Sequence, residues 1–386
     1  MTHLTIPLER RLRKHLSELE TDGLRRSLRV PAGIDLSSND YLCLSNHPML
    51  KHRMAESAAR EGCGSTGSRL LRGERESFAR LERRFATFKG TARSLYFSSG
   101  YMANLAVLST FTDAEDVIYS DERNHASLID GMRLSRARRV VFPHNDAAAL
   151  EQLLREEVVP GQKFVVTESL FSMDVDMAPL AEYSALCRAH RAALIVDEAH
   201  AVGVYGDRGS GLIEVTGSET FVSINPAGKA LGVSGAFVAG PAWAIDYLIQ
   251  RARPFIFSTA PPPPVAAALD ASLTLIESEP FRRRQLLDRA SYLRRRLAET
   301  GVAVTDGVSQ IIPVVLGEND RAVRVAEVLQ HEGFDARAIR PPSVAPGTAR
   351  LRLSVNTNLS EATLDRFVAV LAGTLQETAV CSAASS

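Results

Sequence analysis

The sequence predicts an α/β protein: a large domain built on a mostly parallel sheet, followed by a smaller α+β domain at the C-terminus. Three observations predict it. Short apolar runs recur at 94–98, 117–120, 139–142, 164–167, 194–197, 221–224 and 236–239, separated by helical segments. These runs do not alternate apolar and polar residues, so their strands are covered on both faces, as in a parallel sheet between helical layers. The pattern changes after the four prolines at 261–264, which can continue neither a helix nor a ladder.

Taken in order, residues 5–20 read as a helix with Ile6, Leu8, Leu12 and Leu16 at roughly helical spacing. A polar, irregular stretch runs to about residue 48. The strand–helix alternation starts near residue 75, with a clear helix at 178–190 between two apolar runs. Beyond the prolines come helices at 266–279 and 281–299, strands at 310–316 and 349–355, and a helix at 319–333 between those strands. The tail CSAASS is expected to be disordered. The expected organisation is an N-terminal segment 1–48, a large domain 49–264 and a small domain 265–386.

Composition narrows the function. Lys+Arg and Asp+Glu both number 45, so no net field favours nucleic acid or an anionic membrane. The arginine runs 282–284 and 294–296 read as solvated helix faces. Four scattered cysteines without CxxC spacing argue against structural zinc and against a disulfide framework, and no metal site is expected. The N-terminus lacks the apolar core of a signal peptide, and no run of 18 apolar residues exists. A reducing cytoplasm fits these features.

Five motifs carry chemistry. In ALIVDEAH (193–200) a buried strand ends in Asp197, with His200 on the next turn; a carboxylate there partners a cationic ligand or metal, or caps the following segment. The string DEAH also labels a helicase family, but no GxxxxGK[ST] phosphate loop exists here. GCGSTG (62–67) matches GxGxxG but follows a helical segment rather than a strand, so it reads as a flexible loop lining a site or a purely structural loop. NPAGKALG (225–232) sets Lys229 among small residues, either as an imine-forming lysine or on a surface loop. Lys229 lies 32 residues after Asp197, about one βαβ passage, which brings both to one sheet edge. SSGYMAN (98–104) is a strand, a turn and a helix start, either a phosphate cradle or an ordinary N-cap. His125 follows the strand at 117–120 and either stacks on a flat ligand or sits as a plain loop histidine.

Together these strings resemble the α-oxoamine synthases, a group of fold-type I pyridoxal-phosphate (PLP) enzymes. The resemblance spans residues 36–372 through LSSNDYL, GSTGSRL, SSGYMAN, NHASLIDG, ESLFSMDVDMAPL, DEAHAVGVYG, GKALGVSG, FST and IRPPSVAPGTARLRL. It implies that Lys229 carries the cofactor as a Schiff base and moves protons, and that Asp197 keeps the pyridine nitrogen protonated. It further implies that His125 stacks on the ring and that His200 contacts the ring hydroxyl with Ser172 nearby. Gly100 and Tyr101 would bind the phosphate, and Thr259 would be the phosphate ligand lent by the second subunit of a homodimer. Asn39 and Arg352 would bind the amino-acid carboxylate, and Arg25 falls near the position that meets a distal acyl carboxylate. The strings IRPPSVAPGTARLRL and SQIIPVVLGENDRAV look most like members that join L-alanine to a pimeloyl thioester carried on CoA or acyl carrier protein. Other members use glycine or serine with other acyl-CoAs. Two departures stand out: Pro226 occupies the position where the family usually has a phosphate-binding threonine, and the segment before LSSNDYL is too short for the family's fuller β-hairpin.

Overall fold

The computed structural model describes residues 6–305 and 307–383, with side chains to Glu377. After a two-residue strand β1 (Ile34–Asp35), the seven apolar runs become β2 (Arg93–Phe97), β3 (Val117–Asp121), β4 (Arg138–Phe142), β5 (Lys163–Glu168), β6 (Ala193–Asp197), β7 (Val222–Pro226) and β8 (Ala236–Gly240). They form one sheet in the order β2-β8-β7-β6-β5-β3-β4. β4, β3, β5, β6 and β7 run parallel, whereas β8 is antiparallel to both β7 and β2. The sheet is therefore mostly parallel, as expected, and each strand lies within two residues of its expected position.

The strands are buried because helices cover the sheet. Leu95, Ile118, Val166, Ile195, Ile224 and Val238 meet Val107, Leu128, Ile245 and Leu248 from helices Gly100–Phe111, Ala126–Leu134 and Ala242–Arg251 in one core, none more than 1% exposed. Each such side chain contributes about 1.5–3 kcal/mol relative to exposure. Burial on this scale fixes the parallel strands rigidly, so their carboxyl ends form a firm edge for a site.

The chain divides into two compact units. The larger comprises Asn39–Ser172 and Asp176–Leu286; the smaller comprises Met1–Ser38, Met173–Val175 and Leu287–Ser386. This differs from boundaries near 48 and 264. The N-terminal segment joins the smaller unit because β1 pairs in parallel with β10 (Phe334–Asp335). There too, β11 (Ala338–Ile339), β12 (Ala349–Ser354) and β9 (Ile311–Gly317) make an antiparallel sheet, and the Ser354 amide donates to Leu36 O at 2.8 Å. The proline run does not end the larger unit, because Pro263 and Pro264 open helix Pro263–Ser278, where the missing N–H groups would be unsatisfied in any case. That helix packs on helices Pro48–Glu61 and Glu76–Lys89 within the same unit.

Helix Phe281–Glu299 carries the chain from one unit to the other, and its arginines are not simply a solvated face. In the larger unit, buried Arg283 donates to the carbonyls of Ile276 and Asp207 at 2.6 Å each. In the smaller unit, Arg294 donates to the carbonyls of Ser309 and Ile311 at 2.7 Å each. A fork of N–H groups suits paired carbonyls, which is a physical use for arginine that a charge run does not reveal. The first helix spans Pro7–Thr21 with no buried residue. The last, Glu361–Ala383, runs into the stretch expected to be a disordered tail; residues 384–386 lie outside the described residues. No helix among the described residues is long and apolar enough to cross a membrane.

Candidate active site

β6 ends on Asp197, only 4% exposed. Its Oδ1 accepts from the Ala199 amide at 2.9 Å and its Oδ2 from Asn104 Nδ2 at 2.8 Å. The Asn104 amide also donates to Ser127 Oγ at 2.8 Å, so two helices steer this carboxylate. The next residue, Glu198, is fully buried but neutralised by Lys89 and held by the Ile213 amide at 3.0 Å. Of the two adjacent acids, only Asp197 lacks a lysine or arginine contact and stands ready to meet a cation.

Lys229 lies in the turn after β7, half-buried, with its Nζ 3.0 Å from His200 Nε2. His200 Nδ1 is 2.7 Å from the hydroxyl of Tyr41, which donates to Asn39 Oδ1 at 3.0 Å. The hydroxyl has one hydrogen, so His200 supplies the proton on Nδ1 and offers Nε2 as an acceptor toward Lys229. Asn39, Tyr41, His200 and Lys229 thus form one hydrogen-bonded chain in the larger unit. Gly232 closes the lysine turn at φ +68°; a Cβ there would sit 2.6 Å from Ser45 N, so only glycine lets the turn lie against the strand of chain that carries Asn39 and Tyr41.

His125 caps helix Ala126–Leu134, its Nδ1 accepting from the Ser127 amide at 3.2 Å. Burial holds its pKa below the usual value; Asp197 pulls it up and Lys229 pushes it down. The imidazole is therefore neutral at pH 7. Its backbone amide donates to Glu168 Oε1 at 2.7 Å. Glu168 ends β5 beside Asp197, and burial together with that neighbouring carboxylate raises its pKa to about 8, against the opposing pull of Lys229. Ser172 lies half-buried four residues beyond Glu168.

The expected phosphate end is built differently. Ser99 caps helix Gly100–Phe111, its hydroxyl accepting from Met102 N at 3.2 Å. The amides of Gly100 and Tyr101 come before the first intrahelical hydrogen bond and point out of the helix N-terminus. A Cβ on Gly100 would lie 2.8 Å from Pro226 Cγ, so the proline ring fills the space next to the helix start. Pro226 completes β7 opposite Ala236. Ser223 Oγ accepts from Asn225 Nδ2 at 2.9 Å, so these two neighbours bond each other within the strand. The Tyr101 side chain is exposed and its hydroxyl bonds Asp130. Thr259, also exposed, lines a small cavity with Ser98, Arg69 and Tyr96. The loop at 62–67 is pinned here rather than free: Gly67 O accepts from the Ala260 amide at 2.9 Å, and Ser65 Oγ donates to Pro261 O at 2.5 Å.

Two expected residues belong to the smaller unit. Arg352 is buried on β12, with Nη1 donating to Ser354 Oγ at 2.9 Å. Arg25 is exposed and paired with Glu20 at 2.6 Å, and it lines a cavity of about 360 Å³ with Arg26, Arg29, Arg337 and Arg340.

The structure thus brings together Lys229, Asp197, His200, His125 and Asn39 in the larger unit, and adds Tyr41, Asn104 and Glu168, to which sequence reasoning assigned no role. All three lie inside motif strings already noted, and their partners are distant in sequence. The donor set fits PLP: a nitrogen nucleophile, an oriented carboxylate without a basic side chain on it, a neutral flat imidazole, and outward-facing amides at a helix N-terminus.

Residues 31–371 match the family Aminotransferase class I and II. The chain is 42% identical over 382 residues to the 8-amino-7-oxononanoate synthase of Geobacter sulfurreducens, covering 95% of this chain and 98% of that one. Among solved structures, a serine palmitoyltransferase from S. paucimobilis with a bound PLP–myriocin aldimine superimposes at TM-score 0.89 with 27% identity, covering 96% and 98% of the two chains. The 8-amino-7-oxononanoate synthase of Francisella tularensis superimposes at TM-score 0.77 with 29% identity, covering 90% and 98%.

Proposed function

This chain belongs to the aminotransferase class I and II family and, within it, to the α-oxoamine synthases, and on that premise we propose that it condenses L-alanine with a pimeloyl thioester, releasing CO2 and the free carrier to give 8-amino-7-oxononanoate, a step of biotin synthesis. The cofactor is PLP. The observation that carries the reaction class is the strand-end pair: a half-buried lysine amine against His200, beside a buried, doubly hydrogen-bonded Asp197. Near-full-length similarity to 8-amino-7-oxononanoate synthases carries the substrates.

When bound, PLP supplies an electron sink that lets a carbon acid as weak as the α-carbon of alanine lose its proton. The chain's own residues do the rest. Lys229 Nζ would hold the cofactor and, as a free amine, would take and return that proton; His200 accepts a hydrogen bond from the amine and keeps it aimed. Asp197 presents a carboxylate to the ring nitrogen and holds the proton there, since a charge-assisted hydrogen bond is about twice as strong as a neutral one. His125 offers a neutral ring for stacking and, with Nδ1 accepting from the Ser127 amide, an Nε2–H donor during condensation. The amides of Gly100 and Tyr101, with Thr259 of a second copy, bind the phosphate, and Asn39 binds the alanine carboxylate. The exposure of Thr259 beside Phe257, which is 71% exposed, supports a homodimer that covers this face. The thiols of Cys63 and Cys187 suit a cytoplasmic setting.

A matrix of alanine, glycine and serine against pimeloyl-, acetyl-, succinyl- and palmitoyl-CoA, read by product mass, tests the substrate assignment. Alanine with pimeloyl-CoA gives the largest turnover. A preference for serine with palmitoyl-CoA or glycine with acetyl-CoA assigns the chain to another α-oxoamine synthase.

A further inference from the structure

The proposed reaction leaves one acid of the site unused. We infer that Glu168 is a positioning residue: a neutral carboxyl that clamps the backbone of His125 and leaves Asp197 as the single negative charge facing the cofactor. The second half of this inference rests on the PLP reading above; the first half does not.

The geometry starts from register. β5 and β6 are parallel, and Glu168 pairs directly with Asp197, so the two side chains leave the same face of the sheet about one strand spacing apart. They are 3% and 4% exposed. Two buried carboxylates on neighbouring strands do not both ionise cheaply. The facing groups decide which one keeps a proton. From β3, Asp121 adds a third acid, already engaged by His144 Nδ1 at 2.8 Å and by the amides of Arg123 and Asn145. From the turn after β7 comes Lys229, and from the start of helix Ala126–Leu134 comes His125, itself held neutral. Asp197 receives two N–H donors, from Ala199 and Asn104. Glu168 has the His125 amide at 2.7 Å and no basic side chain bonded to it. The proton therefore rests on Glu168, in line with its raised pKa of about 8. A neutral carboxyl still accepts the His125 amide through its carbonyl oxygen, so the clamp survives without a second buried charge. That clamp sets where helix Ala126–Leu134 begins, and with it the plane of the imidazole.

The sign of the linkage gives a readout that needs no cofactor. Between the ordinary carboxyl value of 4.5 and about 8, the native state binds this proton and the unfolded chain does not. Stability from Glu168 is full below pH 4.5, declines across that window and is gone above about pH 8. Thermal unfolding of the apo-protein against pH, for the parent and Glu168→Gln, isolates it: glutamine keeps the acceptor oxygen and cannot ionise, so the variant's midpoint falls less across the window. Identical slopes overturn the neutral carboxyl. The clamp is tested in the holoenzyme by Glu168→Leu, which removes the acceptor at similar size. Its kcat falls on the order of tenfold below that of Glu168→Gln, as expected for a displaced group, while KM for the amino acid stays within about threefold. Equal kcat in the two variants overturns the clamp. If Glu168→Leu does not fold, the midpoint slopes still decide. Because the apo measurement involves no PLP, failure of the cofactor reading and failure of this one are distinguishable.

Discussion

The two ends of the candidate site are built by different means. The end around Asp197 and Lys229 is made of side chains: a hydrogen-bonded chain from Asn39 through Tyr41 and His200 to Lys229, and a second from Ser127 through Asn104 to Asp197. The end around Gly100 is made of backbone amides and shape, with the Pro226 ring set against the helix start. The difference teaches where each end is vulnerable. A side-chain network depends on charge and on single polar atoms; a backbone cradle depends on volume and on the path of the chain.

The comparison breaks most visibly at the amine. Lys229→Ala removes both the proposed attachment point of PLP and the group proposed to move the α-proton, so turnover is expected to fall by more than about 10³-fold. The visible absorbance of the lysine-linked cofactor disappears on reconstitution. An absorbance band that survives and is trapped by borohydride places the lysine elsewhere. Asp197→Asn is the next largest. It preserves size and much of the contact with Asn104, but it cannot hold the ring nitrogen protonated. Loss of this charge-assisted bond lowers kcat by about 10²–10³-fold, measured under saturating PLP. Near-parental turnover in that variant ends the role assigned to Asp197.

The same contrast explains what was legible from sequence. The sheet was legible because its strands are short, apolar and evenly punctuated by helices; burial on both faces writes itself into composition. Asp197 and Lys229 were legible because strand ends and small-residue turns expose them as exceptions to that pattern. Tyr41 and Glu168 were not. A tyrosine in an irregular stretch and a glutamate closing a strand look ordinary until folding brings Tyr41 to a histidine 159 residues away and Glu168 to the amide of His125, 43 residues before it. The place of the proline run in the larger compact unit has a related reason. Four prolines mark a break in hydrogen bonding, but in the first turn of a helix that break costs nothing, and helix Pro263–Ser278 stays with the unit it follows.

The smallest expected effect sharpens the comparison at the cradle. If that end works by shape, adding one methyl group there should matter and should be repaired by removing carbon on the other side. Gly100→Ala places a Cβ 2.8 Å from Pro226 Cγ and 3.2 Å from its Cβ, and neither the helix start nor the strand end has a flexible tip to give way. Overpacking of this kind costs about 1–3 kcal/mol, and here it acts through displacement of the two outward-facing amides. PLP affinity, followed by fluorescence quenching on titration, should weaken about tenfold, the lower-middle part of that range. Pro226→Ala on the same background removes the ring that the new methyl meets and should restore most of the loss. Pro226→Thr in the parent returns a hydroxyl to the position that the family uses for phosphate and should tighten PLP by a few-fold, about the worth of one hydrogen bond. A Gly100→Ala variant that binds PLP as the parent does would show that the helix start is not packed tightly against Pro226, and the phosphate end would then have to be held by side chains as the ring end is.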